Sequence, residues 1–503
     1  MVSGMVQAAE GLGGGGEALA RLAGFRRDVY GCLTRRGDAL FGLADAVLCA
    51  PGRVTDLARL SLVPGFGRGH GALYDALNAG RVGVGRLRRV LAGLPLPRWP
   101  GGGIRLGVDV SGWLRPDAET SPERLFCHVH GRGKNAAQMI PGWPYSFVAA
   151  LGPGASSWTV PLDAVRLGPG DDEDNVTGAQ LRQVVERLIE AGHWHDGDPA
   201  IVIVADCGYG GSRLAWLLAD LPVTVVVRVR PDRVFYGPAP RRAAGTPGRP
   251  PRHGSPLRCA DPAAGSRPGL TADAELARHG PATVTAWPRM HQMITRHSGS
   301  WQDWPPRQEY PVIEGTLIRL APARPRRAGA DPVWLWASDP AAGLDPAAVA
   351  VLWQSYLRRF DLEHTFRFFK SQLGWDKPML RDPAAADRWT WLVLASYAQL
   401  YVARSIAPDI RLPWQRPQPR TGTAQVLTPG RVRAGFPGLR HLAGSPASSA
   451  KPGTAGPGRP AGSANKRKAP RYPAGKTTLK HDTITERKHK QAKQARKTTR
   501  PTG

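Results

Sequence analysis

The stretch Ala200-Ile201-Val202-Ile203-Val204-Ala205-Asp206-Cys207-Gly208-Tyr209-Gly210 runs six apolar residues without a break into a single acid and a glycine-punctuated turn. A continuous apolar run of this length, rich in β-branched residues, is the pattern of a strand covered on both faces. Such strands sit in sheets with helices on either side, so the chain reads as an α/β protein. Asp206 then falls at the carboxyl end of the strand, where open α/β sheets gather their ligands. Its plainer use would be to cap the helix that follows its glycines.

Working outward, the pattern predicts strands at 104–113, 124–131 and 144–150 or 156–160, a helix at 177–192, the strand at 200–205, a helix at 211–220 and a strand at 223–229. Three early strands followed by alternating helix and strand fit an RNase H-like mixed sheet flanked by helices. The first strand, Ile104 to Trp113, carries one acid in its middle, Asp109. Acids are depleted in strand interiors, so Asp109 is a candidate for chemistry, with an exposed strand edge as the alternative. In the expected topology Asp109 and Asp206 lie on adjacent central strands. The denser cluster Asp171, Asp172, Glu173 and Asp174 lies between a Gly-Pro-Gly turn and the next helix, where acids favour the N-terminal dipole, and reads as a helix entry.

A second constellation follows at Tyr356-Leu-Arg-Arg359-Phe-Asp-Leu-Glu363-His-Thr-Phe-Arg367-Phe-Phe-Lys370. On one regular helix, at about 100° per residue, Tyr356, Arg359, Glu363 and Lys370 point to roughly 0°, 300°, 340° and 320°, with Arg367 near 20°. Such a stripe is either a solvated face with an i, i+4 ion pair or a place where an anion docks. The intervals match a signature: Tyr, two residues, Arg, three residues, Glu, six residues, Lys resembles the Y-R-E-K motif of DDE transposases of bacterial insertion sequences, and VDVSGW and ADCGYG resemble that family's first and second acid motifs. The resemblance implies that Asp109, Asp206 and Glu363 form a catalytic, metal-binding triad. It also implies that Tyr356, Arg359 and Lys370 contact DNA, and Arg367 shares their face. Two Mg²⁺ ions, with Mn²⁺ as a substitute, would serve phosphoryl transfer by activating the attacking oxygen and stabilising the leaving one.

Composition agrees with a DNA-facing protein. The net charge is +28, and residues 451–503 hold 15 Lys or Arg against 2 acids, so this tail carries +13 and the remainder about +15. Basic excess in folded and flexible parts alike is the footprint of a nucleic-acid binder. No apolar run approaches the roughly 20 residues of a membrane span, no signal peptide is evident, and the five cysteines show no metal or disulfide spacing. A cytoplasmic, nucleoid-associated protein is expected.

Four regions are expected. Residues 1–95 form a helical domain, with patterns at 54–62 and 70–78 compatible with a helix-turn-helix or with a helical cap. Residues 100–230 and 346–412 form the catalytic domain. Residues 231–345 form a mainly β insertion that starts Pro, Gly and Arg-rich and carries strands at 282–287, 311–321 and 333–338. Within it, Trp301 and Trp304 read as core residues first and base-stacking residues second. Residues 413–503 read as a disordered basic tail.

By resemblance the chain would bind the inverted repeats of its own mobile element, cut DNA and join the 3′-hydroxyl ends to target DNA, as a homodimer on the duplex. A catalytically idle or domesticated DNA-binding descendant is the alternative.

Overall fold

The computed structural model describes residues 15–475 apart from 65, 130–137, 155, 242–246, 278–279, 296–297, 324–331, 412–413, 415–425, 451–459, 461 and 464–467. Among these residues, ten strands form one sheet: β1 (Arg105–Leu114), β2 (Leu125–Val129), β3 (Gln138–Leu151), β4 (Thr159–Arg166), β5 (Ile201–Ala205), β6 (Val223–Val229), β7 (Leu270–Leu276), β8 (Gly280–Met290), β9 (Gly315–Pro322) and β10 (Val333–Ala337). The helices are α1 (Gly15–Gly31), α2 (Gly37–Cys49), α3 (Leu57–Leu60), α4 (His70–Ala79), α5 (Val84–Ala92), α6 (Glu173–Glu190), α7 (Gly211–Leu217), α8 (Pro346–Leu357), α9 (Phe360–Ser371), α10 (Pro383–Ala403) and α11 (Pro429–Ala443).

The sheet order is β7-β8-β9-β10-β6-β5-β1-β3-β2, with β4 also pairing β3. Every residue of β5 is buried, as its unbroken apolar run requires. It lies parallel to β1 on one side and to β6 on the other. β3 runs antiparallel to β1, and its two halves pair with β2 and β4, so both alternatives for the third early strand are present. The order β4-β3-β1-β5-β6 is the RNase H-like arrangement. It brings Asp109 and Asp206 onto neighbouring strands.

The β insertion continues this sheet: β10 pairs antiparallel with β6, matching Leu335 to Arg228 and Trp336 to Val227. Its outermost strand, β7, carries little strand signal, because four of the seven residues of Leu-Thr-Ala-Asp-Ala-Glu-Leu are Ala, Asp or Glu, which strands disfavour. β7 nevertheless suits an edge, where Asp273 and Glu275 discourage further pairing. The Pro, Gly and Arg-rich start is more ordered than its composition suggests. Val234–Tyr236 pairs with Pro256–Arg258, burying Phe235 and Leu257.

The N-terminal helices pack on α10 and α11, with Leu40, Leu43, Leu73 and Leu77 in a core shared with Leu400 and Phe436. The pattern expected at 54–62 contracts to the single turn α3, started by the Asp56 carboxylate accepting the Arg59 N–H at 2.8 Å. Of the arginines that follow, Arg88 donates to the buried Asp163 at 2.9 Å and Arg86 to the Gly31 carbonyl at 3.0 Å. The first ties this region to β4 of the sheet, and the second closes the region on its own first helix, α1.

The expectation of disorder from residue 413 onward is corrected at α11. Val432, Phe436 and Leu439 are buried on its inner face, and Arg433 donates to the carbonyls of Val47, Ala50 and Gly52, satisfying the C-terminal end of α2. Pro429, Gly430, Gly435, Pro437 and Gly438 hide this helix from propensity-based reading. Further on, Tyr472 and Gly475 hydrogen-bond the backbone of Glu119 and Arg124. Of the expected tail, residues 413, 415–425, 451–459, 461, 464–467 and 476–503 lie outside the described residues. No helix among the described residues is long and apolar enough to cross a membrane.

Candidate active site

Asp109 sits at the midpoint of β1, opposite Phe147 of β3. Asp206 follows the last residue of β5, and Glu363 lies in the first turn of α9. The three acids, far apart in sequence, converge on one side chain. Arg359 Nη1 donates to Asp109 Oδ2 at 2.6 Å, and Nη2 stands 3.4 Å from Glu363 Oε1 and 3.7 Å from Asp206 Oδ2.

Arg359 is only 3 % exposed. It reaches the acids because the chain does not continue as one regular helix through this motif, as the stripe reading assumed. α8 ends at Leu357, and bonds from Arg359 N to Tyr356 O, Asp361 N to Arg358 O and Leu362 N to Arg359 O tighten the backbone into i→i+3 spacing before α9 settles. Tyr356 therefore closes one helix, Arg359 occupies the junction, and Glu363 and Lys370 belong to the next. The single narrow stripe is replaced by a corner whose inner side holds Arg359.

The electrostatics follow from crowding. Burial pushes the Asp109 carboxyl up to about 6, against the pull of Arg359, and the charges of Asp206 and Glu363 push in the same direction as burial. Burial works against the Arg359 charge, yet Asp109 and Asp206 outweigh it and hold the guanidinium firmly protonated. Tyr356 is buried, and desolvation with the nearby Asp206 charge pushes its phenol up to about 12, so it stays neutral. Asp206 Oδ1 is buried and accepts no hydrogen bond from any described residue.

Lys370 does not join the cluster. It lies two turns beyond Glu363, about 10 Å along the axis, with Nζ 5.6 Å from the Trp375 ring centre, and burial pulls its ammonium down. Arg367 is exposed beside His364 and lines, with Gln372 and Arg431, a groove of about 600 Å³. A second cleft, of about 660 Å³, runs between the Cys207–Ser212 loop and insertion residues 292–295 and 298–302, with Arg228, Arg230 and Arg233 along it.

The donor set suits a hard divalent cation: three carboxylates, one with an unused buried oxygen, share a single monovalent guanidinium. In this arrangement no three His, Cys, Asp or Glu side chains among the described residues are close enough to hold one ion, because Arg359 stands between them. The residues fit a metal once that guanidinium yields its place.

Two features were not legible beforehand. Arg359 was expected as a DNA contact, and its role as counter-ion depends on the helix break. The acid tract 171–174 has the pattern of a helix entry, which holds for Asp172, whose side chain accepts the Asn175 N–H at 2.8 Å. Asp174 instead turns inward to the loop after Asp206. Trp301 is buried against α7 and packs as core.

A family model described as DDE superfamily endonuclease matches residues 28–293, a span that includes Asp109 and Asp206 and ends before Glu363. No curated protein matches the chain. Among solved structures the chain is similar to the C-terminal lobe of a budding yeast Argonaute, with 9% sequence identity and a TM-score of 0.20; the match covers 68% of this chain and 57% of that one.

Proposed function

The chain belongs to the DDE superfamily of endonucleases, and from that premise we propose that it is a transposase, cutting double-stranded DNA at the inverted repeats of its element and joining the freed 3′-hydroxyl ends to target DNA. The observation that carries this is the convergence of Asp109, Asp206 and Glu363 on one buried guanidinium, all within 3.7 Å of it. Asp109, Asp206 and Glu363 would hold two Mg²⁺ or Mn²⁺ ions, which when bound supply an activated attacking oxygen and a stabilised leaving oxygen.

The chain's own residues do the rest. Asp109, raised to about 6, is ionised and able to ligate at neutral pH. Arg359, once released from the carboxylates, offers a planar two-pronged donor suited to a phosphate. Tyr356 beside it remains a neutral donor. Arg367 and Lys370 would take backbone phosphates along α9, and the arginines at 228, 230 and 233 offer a second basic wall. Both displacements at phosphorus are in-line, so one site can run them in turn. Synapsis of two ends would make the working form a homodimer on DNA.

The test is a purified protein with Mg²⁺ and DNA carrying the sequences that flank its own reading frame. Wild type should release and join ends, while Glu363→Gln should lose both steps and keep DNA binding. Cleavage surviving in Glu363→Gln removes the triad. Wild type that cuts without joining is a nuclease, and wild type that binds without cutting is the idle DNA-binding alternative.

A further inference from the structure

The loop that carries Asp206 is gripped from two sides. On one side the Gly210 N–H donates to Asp174 Oδ1 at 2.8 Å. An acid in the first turn of a helix serves the dipole equally well in water, whereas burial of a carboxylate is costly unless it is hydrogen-bonded. Asp174 is nevertheless only 1 % exposed, so its inward turn is tied to this amide. On the other side a Cβ on Gly210 would overlap Ser300 Oγ and stand 2.7 Å from Asp174 Oδ2, which leaves room for glycine only.

Ser300 belongs to the insertion, and the insertion is itself pinned here. Trp301 Nε1 donates to Ser212 Oγ at 3.3 Å, and the Arg213 guanidinium lies 5.0 Å from the Trp301 ring centre. Arg213 donates to Asn175 Oδ1 at 3.0 Å, and Asn175 Nδ2 to Asp303 Oδ2 at 3.3 Å, closing a ring of contacts through α6, α7 and the insertion.

We propose that Asp174 is a positioning residue for Asp206: with Ser300 of the insertion as backstop, it fixes the 206–210 loop so that the Asp206 carboxylate faces Asp109 and Glu363. The proposal rests on the reading of Asp206 as a metal ligand. It also gives the β insertion a task at the catalytic centre, that of bracing it.

The test compares Asp174→Ala with Asp174→Asn, which keeps an acceptor for the Gly210 amide, in the full chain without DNA. Losing that hydrogen bond should speed Gly210 amide exchange about tenfold or more in the Ala variant and leave the Asn variant near wild type. Mn²⁺ affinity, by titration calorimetry, should fall about 10–100-fold in Asp174→Ala and be largely retained in Asp174→Asn. Wild-type exchange and affinity in Asp174→Ala overturn the proposal, as does an Asn variant that behaves like Ala. If Asp174→Ala does not fold, Gly210→Ala takes its place: it should weaken Mn²⁺ binding, with Ser300→Gly restoring part of it, and wild-type binding by Gly210→Ala overturns the brace. Wild type that binds no Mn²⁺ sinks the metal-ligand reading instead, while amide exchange still judges the brace.

Discussion

Replacing Arg359 with Gln should destabilise the metal-free protein and, in the same stroke, tighten its hold on divalent ions. Removing one partner of a buried ion pair costs about 3–5 kcal/mol, because the other charge is left desolvated. Arg359 is 4 % exposed at the side chain, but its partners are unequal: Asp109 is 21 % exposed, Asp206 34 % and Glu363 50 %. Glu363 and Asp206 can turn to water, so Asp109 bears most of the loss, and a cost just below that range, about 2–3 kcal/mol at pH 8, is the expectation. The loss should shrink on acidification. The folded Asp109 carboxyl already sits near 6, above its unfolded value, and losing Arg359 raises it further. A raised carboxyl contributes stability that is complete below the unfolded value and is lost as pH rises through the folded one, so protonated Asp109 needs no counter-ion and the variant should approach wild type near pH 4. Urea unfolding at the two pH values, each with EDTA and with Mg²⁺, reads these effects. Saturating Mg²⁺ should stabilise the variant by more than wild type, since a ligand at about 100 times its Kd adds about 2.7 kcal/mol and the variant's Kd is the lower one. A variant as stable as wild type at pH 8 in EDTA, or one that gains no more from Mg²⁺, would refute this reasoning.

Other consequences are independent of that one. Mn²⁺ binding to wild type should weaken as pH falls through about 6, because a proton on Asp109 competes with the ion; calorimetric Kd values that stay flat between about pH 5 and pH 7.5 contradict it. Arg433→Ala removes donors to three carbonyls at the end of α2 and should cost about 2–4 kcal/mol in chemical denaturation, since each hydrogen bond from a charged group contributes about 1.5–3 kcal/mol before relaxation. Trp301→Ala should cost about 3–5 kcal/mol as a core truncation, and DNA affinity per folded molecule should stay level; a stable variant with weakened DNA binding would restore the base-stacking role.

Much of the fold was legible because its central strand has little freedom: six apolar residues ending in Asp206 suit few places besides the middle of a sheet, and the neighbouring elements then follow in order. Asp109 stood out for a related reason, as a lone acid inside a strand. What escaped reading depends on non-local pairing or on broken periodicity. β10 closing on β6 joins segments about a hundred residues apart, and no local pattern announces it. α11 is rich in glycine and proline and gains its stability from Val432, Phe436 and Arg433 meeting α2. The motif from Tyr356 to Lys370 was visible as spacing, but an angular projection assumes a uniform helix. The tightened turn at 357–360 moved Arg359 from an outward-facing clamp to the centre of the carboxylates.

The most direct measurement is the anomalous scattering of Mn²⁺ in crystals of the protein grown with that ion. Two peaks about 3.5–4 Å apart among Asp109, Asp206 and Glu363, with the Arg359 guanidinium moved away from Asp109, are the predicted result. A fully occupied ion elsewhere, with Arg359 still paired with all three carboxylates at saturating Mn²⁺, would contradict the account.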